Sequence, residues 1–191
     1  MHTNTLPDES RCFDLLKKHR TPDHIILHSR RVWEVGKLLG EELVARDHDI
    51  DMDLLRASCL LHDIGKYPCI LDGGGYHDVR GEQILNQEGF PSVARVVVQH
   101  VILRTSPEDP IREEQLVYYS DKRVVHDELV SVDARFAYLE HTYGKTPEAL
   151  KGLARMKEVT VQVEKDIFAL LDFQPGAVED LLRKYRTVGN R

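Results

Sequence analysis

Leu60-Leu61-His62-Asp63-Ile64-Gly65-Lys66 is the stretch on which the fold and the chemistry of this chain turn. It closes an apolar helical run, Leu54, Leu55, Ala57, Ser58, Leu60 and Leu61, which Gly65 and Pro68 are expected to stop. A histidine and an aspartate therefore stand side by side in the last turns of a mostly buried helix. Burying an ionised carboxylate alone is expensive, so Asp63 needs a charged or strongly polar partner. Local hydrogen bonds are the ordinary solution for a bare His-Asp pair. A divalent transition metal is the other, because a neutral imidazole and a carboxylate together suit such an ion.

Working outward, the same mixture of polar and apolar residues recurs. Residues 8–19 predict a short amphipathic helix with Phe13, Leu15 and Leu16 inside. Thr21-Pro22-Asp23 reads as a helix start, with Thr21 as cap and Pro22 in the first position. The helix that follows carries Ile25, His28, Val32, Val35, Leu39 and Leu43 at spacings of three and four, which puts His28 on the buried stripe. His24 lies one turn earlier, by the cap. Asp49 to Asp53 cap the central helix. Beyond it, Gly73-Gly74-Gly75 lacks the Gly-Lys-Ser/Thr ending of a phosphate loop and follows no strand, so it reads as a flexible rim.

His77, Arg80, Gly81, Ile84 and Leu85 open the next helix. Gly89-Phe90-Pro91 ends it, and Ser92 begins another in which Val93, Val96, Val97, His100, Val101 and Arg104 put His100 on an apolar face. Ser106 to Pro110 is a turn. Leu116, Val117, Tyr119, Ser120, Asp121 and Val124 form a further helix with Asp121 in apolar surroundings. Residues 131–143, a long helix opened by Thr146-Pro147-Glu148, and a short segment at 176–188 complete the chain. Strand alternation is absent. The expected fold class is all-α, a single-domain helical bundle of about eight or nine helices with short loops.

Composition narrows the function classes. The 191 residues suffice for one domain with a proper core, with 41% hydrophobic and 30% charged residues. A net charge of -6, a pI near 5.9 and dispersed basic residues argue against general nucleic-acid or anionic-membrane binding. No apolar run approaches the ~20 residues of a membrane span. Met1 to Leu6 lacks the plan of a signal peptide, and Cys12, Cys59 and Cys69 show no paired metal spacing, so a cytoplasmic protein with reduced thiols is expected. Histidine is the unusual feature, with ten in all.

Six polar residues fall on apolar helix faces: His28, His62, Asp63, His77, His100 and Asp121. The order His…His-Asp…Asp, with His-Asp-Ile-Gly-Lys at its centre, resembles the HD superfamily of metal-dependent phosphohydrolases, and its HDIG-type branch in particular. The resemblance covers roughly residues 20–140, and Tyr119-Ser120-Asp121-Lys122 is similar to the family's Ala-Asp-Lys, with Ser120 for the alanine. It implies an HD core over 20–145, followed by C-terminal helices over 146–191 that pack on the core or form a homodimer interface. It also implies that His28, His62, Asp63 and Asp121 hold one metal. His77 and His100 would join a second, with Asp63 bridging.

A mixed nitrogen and oxygen site suits Fe, Mn, Zn, Ni or Co. Such ions activate a water and clamp a phosphoryl group, so no protein nucleophile is needed. The chain accordingly has no Cys-His or Ser-His-Asp signature. The reaction builds negative charge on phosphoryl oxygens, which calls for flanking cations. Lys66 is the first candidate, as a catalytic group with Asp63 and as a substrate contact. Arg80, three residues after His77, and Arg104, four after His100, would share helix faces with proposed ligands, and Lys122 adjoins Asp121. His126-Asp127 is assigned to a solvated helix end, with His126 at most near the rim. His2, His19, His48 and His141 are assigned to the surface, and Tyr76, Tyr118 and Tyr119 to core packing.

The expected function is hydrolysis of a phosphate ester or anhydride of a nucleotide, without a nucleic-acid or membrane partner. The alternative is a nucleotide- or signal-binding domain with little turnover that reports through residues 147–188. A third reading, an O₂-using di-iron enzyme, follows from a few relatives of the same superfamily.

Overall fold

The computed structural model describes residues 5–106 and 109–188, with side chains to 184. The readings of His2, of Met1 to Asn4 and of Pro107-Glu108 within the expected turn lie outside the described residues. The fold is all-α. Its helices are α1 (Glu9–Lys18), α2 (Asp23–Val44), α3 (Met52–Leu61), α4 (Lys66–Leu71), α5 (His77–Gln87), α6 (Pro91–Val97), α7 (Glu113–Asp121), α8 (Val132–Tyr143), α9 (Pro147–Ala169) and α10 (Val178–Val188). A two-residue antiparallel ribbon, β1 (Val124–Val125) with β2 (Glu128–Leu129), links α7 to α8. No described helix is long and apolar enough to cross a membrane.

The central pair is α2 and α3. They approach closely because α2 presents Gly36 and Gly40, where a β-carbon would overlap Cys59 Sγ and Leu55 Cδ2 respectively. Val32, Val35, Leu39 and Leu43 of α2 meet Leu55, Ala57, Cys59 and Leu60 of α3 in the buried core, which α7 and α6 complete with Leu116, Val117, Val93 and Val97. Helix α9 lies against α7 and α8. Tyr118 Oη donates to the Met156 carbonyl at 3.2 Å, Tyr119 Oη donates to Glu164 Oε2 at 2.6 Å, and the Tyr119 and Phe168 rings meet edge to face.

Several helix starts follow the sequence. The Asp51 side chain accepts from the amides of Asp53 and Leu54, and Thr146 Oγ1 from the amide of Ala149. Others differ. Thr21 does not cap α2: Pro22 holds the cap position, and Thr21 Oγ1 is buried without a partner. Pro68 does not end a helix either. It sits in the first turn of α4, where its missing amide hydrogen costs nothing. Helix α6 stops at Val97, seven residues short of the expected run through Arg104.

Candidate metal centre

Helix α3 ends at Leu61, so His62 is its cap residue and Asp63 lies in the tight turn that joins α3 to α4. The turn is wedged against α5. A β-carbon on Gly65 would overlap the His77 carbonyl and the Gly81 amide nitrogen, both backbone atoms that cannot move aside. The Gly65 and Gly81 positions therefore let the start of α5 rest on the His-Asp turn, and His77 is delivered to Asp63 as a result.

Two groups of ligand atoms form around this turn. His28, His62 and Asp121 offer atoms within 4.8 Å of one another, and so do Asp63, His77 and His100. His28 Nε2 lies 3.1 Å from Asp121 Oδ1, and His62 Nε2 3.8 Å from the same oxygen. Asp63 faces both groups. Its Oδ2 is 3.5 Å from His62 Nε2 and 3.9 Å from His28 Nε2, while its Oδ1 is 3.4 Å from His77 Nε2 and 3.7 Å from His100 Nε2. The Nε2 atoms of His77 and His100 are 3.1 Å apart.

Backbone carbonyls set the tautomers. His28 Nδ1 is 2.8 Å from the His126 carbonyl, His62 Nδ1 2.8 Å from that of Cys59, and His100 Nδ1 2.7 Å from that of Val97. A carbonyl only accepts, so each Nδ1 must carry the proton and donate it. In the neutral rings each Nε2 then turns a lone pair toward the carboxylates. His62 Nε2 is fully buried and has no hydrogen-bond partner. A buried polar atom left in that state needs a ligand. Imidazole nitrogens and carboxylate oxygens that converge on it are the donor set of a divalent transition metal, so the residues fit such an ion.

The HD domain family matches residues 25–124. The chain belongs to the HD-domain family. All six candidate ligands fall within the matched stretch of this HD domain, whereas α8 and α9 lie beyond it. The chain is 32% identical to a tRNA (cytidine(56)-2'-O)-methyltransferase of Thermoplasma volcanium over 108 residues, which cover 56% of this chain and 30% of that protein. It is 23% identical to an uncharacterised protein of Methanocaldococcus jannaschii over 155 residues, 74% of this chain and 90% of that one. The chain thus spans less than a third of the methyltransferase. No solved structure matches.

Charge in the HD centre is balanced from two sides. Burial would raise the Asp63 carboxyl, but the His62 and Lys66 charges outweigh it and hold it well below the ordinary range. Lys66 Nζ donates to Asp63 Oδ2 at 2.9 Å and keeps a partly exposed side chain. Asp121 is likewise held low against its burial, by Lys122 and Arg135. His77 moves the other way: burial and the neighbouring His100 push it down to about 4.

The four cations named from sequence occupy different places. Lys66 is at the centre. Lys122 is buried, donating to Asp121 Oδ2 at 2.8 Å and to the His100 carbonyl at 2.6 Å beneath the Tyr118 ring, so it ties one ligand group to the other. Arg80 shares α5 with His77 and pairs with Asp72 at 3.2 Å. Arg104 is exposed, and it shares no helix face with His100 because both lie past the end of α6.

Other histidines also moved from their expected places. His126 occupies the turn between β1 and β2, with φ of 54°, and its carbonyl orients His28. His19 pairs with Glu88 at 2.9 Å. Tyr118 and Tyr119 are core residues, but Tyr76 is exposed.

A cavity of about 220 Å³ opens beside the ligands, lined by His24, His28, Asp63, Lys66, His126 and Arg135 among others. A larger cavity of about 560 Å³ lies between residues 101–103 and α9, and its walls are almost wholly apolar. The chemistry belongs to the smaller one, because only it borders the ligand groups. Arg135, a wall of that cavity, escaped the sequence reading. It stands fourteen positions past Asp121 on another helix, and no spacing rule links the two.

Proposed function

We propose that this protein is a metal-dependent phosphohydrolase that cleaves a phosphate ester or anhydride of a nucleotide. The observation that carries the reading is the unpartnered His62 Nε2, buried where three imidazoles, with tautomers set by carbonyls, meet the Asp63 and Asp121 carboxylates. His28, His62 and Asp121 would hold one ion, His77 and His100 a second, and Asp63 would serve both through its two oxygens. Bound there, a divalent ion such as Mn, Fe, Co, Ni or Zn would supply Lewis acidity at a phosphoryl oxygen and an acidified water.

The chain's own residues prepare the site. The three carbonyls accept the Nδ1 protons and so turn each Nε2 inward. Lys66, at the cavity wall, offers an ammonium to an oxygen that gains negative charge as the bond to phosphorus breaks. Lys122 holds the Asp121 and His100 segments together from beneath. Arg80 and Arg104 are proposed only as peripheral contacts for a larger substrate. The proposed setting is the cytoplasm, with a small-molecule phosphate as partner. Methyl transfer is not carried over from the Thermoplasma volcanium relative, of which the chain covers 30%.

The test is a nucleotide and phosphate-ester panel assayed with Mn, Co, Ni and Fe on the wild-type protein and on Asp63→Ala. Turnover that disappears in Asp63→Ala is expected. Wild-type protein that is metal-loaded but inert on the whole panel would defeat the proposal.

A further inference from the structure

We infer that Arg135 binds the phosphate end of the substrate, as a guanidinium delivered by α8 from outside the HD-family match. The inference rests on the hydrolase reading above and names a residue that neither the motif nor the match contains.

The argument begins with unsatisfied donors. A guanidinium carries five N–H donors in a fixed fork. Arg135 makes one hydrogen bond, from its Nη2 to Asp121 Oδ1 at 3.4 Å, which is long and therefore weak. Its Nε is buried and has no partner. The side chain is only 12% exposed, so solvent does not freely satisfy the rest. A donor without an acceptor costs free energy, and Arg135 lines the cavity in which a ligand oxygen would meet the rest of its fork.

Placement then gives the ligand's charge. Arg135 and Lys66 are the two cations among the residues lining this cavity, and each already touches a candidate ligand carboxylate, Asp121 and Asp63 respectively. An anion that meets the ligand groups would come within reach of both cations. The planar fork matches two oxygens of one phosphate, whereas Lys66 supplies a point charge. Tyr138, from the same helix, backs the guanidinium with its ring 5.8 Å away, which fixes the orientation of the fork without consuming a donor.

The alternative role for Arg135 is to position Asp121 and nothing more. The two roles separate on metal content. Full-length protein, wild type, Arg135→Gln and Arg135→Lys, would be loaded with Mn and its metal measured. Inorganic phosphate would then be titrated by calorimetry, and the broadening of its phosphorus resonance by bound Mn would be followed. The expected result is unchanged metal content in all three proteins, with phosphate affinity reduced about tenfold or more in Arg135→Gln, the loss expected for one charged hydrogen-bond donor. Arg135→Lys should recover part of the affinity, and it keeps the inference testable if the glutamine variant fails to fold. Loss of metal from Arg135→Gln with the lysine variant normal in both assays, or phosphate binding unchanged in both variants, would overturn the inference. Wild-type protein that takes up metal but no phosphate would instead strike the hydrolase reading itself.

Discussion

His77 and His100 turn their Nε2 atoms toward each other across 3.1 Å, although one opens α5 and the other lies beyond the end of α6. Two imidazole nitrogens at that distance can share a proton or a cation. The His100 Nδ1 proton is already committed to the Val97 carbonyl, and Asp63 Oδ1 completes the group at 3.4 and 3.7 Å. On the proposed two-ion reading, the second ion is separable from the first. Wild-type protein loaded with Mn is expected to hold two equivalents by elemental analysis. His77→Ala should fall to one, because His28, His62 and Asp121 are untouched, while Asp63→Ala should lose both. Two equivalents in His77→Ala would remove the second site.

Gly65 is expected to be among the least replaceable residues outside the ligands. Gly65→Ala forces a β-carbon into the His77 carbonyl and the Gly81 amide nitrogen. A destabilisation of about 2–3 kcal/mol in urea unfolding is expected from such overpacking. Metal content should fall with it, since the displaced segment carries His77. Gly152→Ala is the control. Nothing lies within 4 Å of the added carbon, and α9 should become about 0.5–1 kcal/mol more stable.

Lys66 and Lys122 should respond differently to the same substitution. Lys66→Met is expected to lower kcat/KM about a hundredfold, as for one lost transition-state donor, with metal content preserved. Lys122→Met removes a buried cation from Asp121 and a donor from the His100 carbonyl. It should cost about 3 kcal/mol of stability, as breaking a buried pair does. Its metal content should fall as well. Chemical unfolding and elemental analysis on both variants check the contrast, and equal stability losses would contradict it.

Metal binding should depend on pH through His62. Burial alone would lower its pKa, but Asp63 outweighs it, helped by Asp121, and the value rises above the ordinary 6.5. In metal-free protein that raised value contributes stability below pH 6.5, which is lost as pH rises through the folded pKa. The same proton must leave before Nε2 can take a cation. Apparent affinity at the His28, His62 and Asp121 group should therefore increase from pH 6 to pH 8, with proton release. His77, pushed down to about 4, is already neutral across that range and releases none. Calorimetry in two buffers of different ionisation enthalpy, on wild type and His77→Ala, measures both effects. Release that disappears in His77→Ala would reverse the assignment.

The sequence is informative where its signal is local. Helix periodicity places His28, His62 and Asp121 on buried surfaces, and His-Asp-Ile-Gly-Lys marks the centre of the site. Local rules fail where neighbours decide. Valine-rich residues 93–101 look helical as far as pattern goes, yet α6 ends at Val97, and the Val97 carbonyl instead accepts from the His100 amide and from its ring. Thr21 has the chemistry of a cap but is buried beside one. His126 looks like a solvated residue because its role is played by a backbone carbonyl, which a residue's identity does not encode.

By itself, the sequence determined that the chain is all-α, and apolar spacing singled out six imidazoles and carboxylates, although His77 stays partly exposed and His62, Asp63 and His100 lie beyond the helix ends. The tertiary structure alone decided which of those groups share a centre, which tautomer each ring adopts, and that Lys122 turns inward while Arg135 lines the cavity. Those outcomes depend on how separate helices pack, through contacts as distant in the chain as Gly65 with Gly81 and His28 with His126, and no periodicity reaches across such a gap.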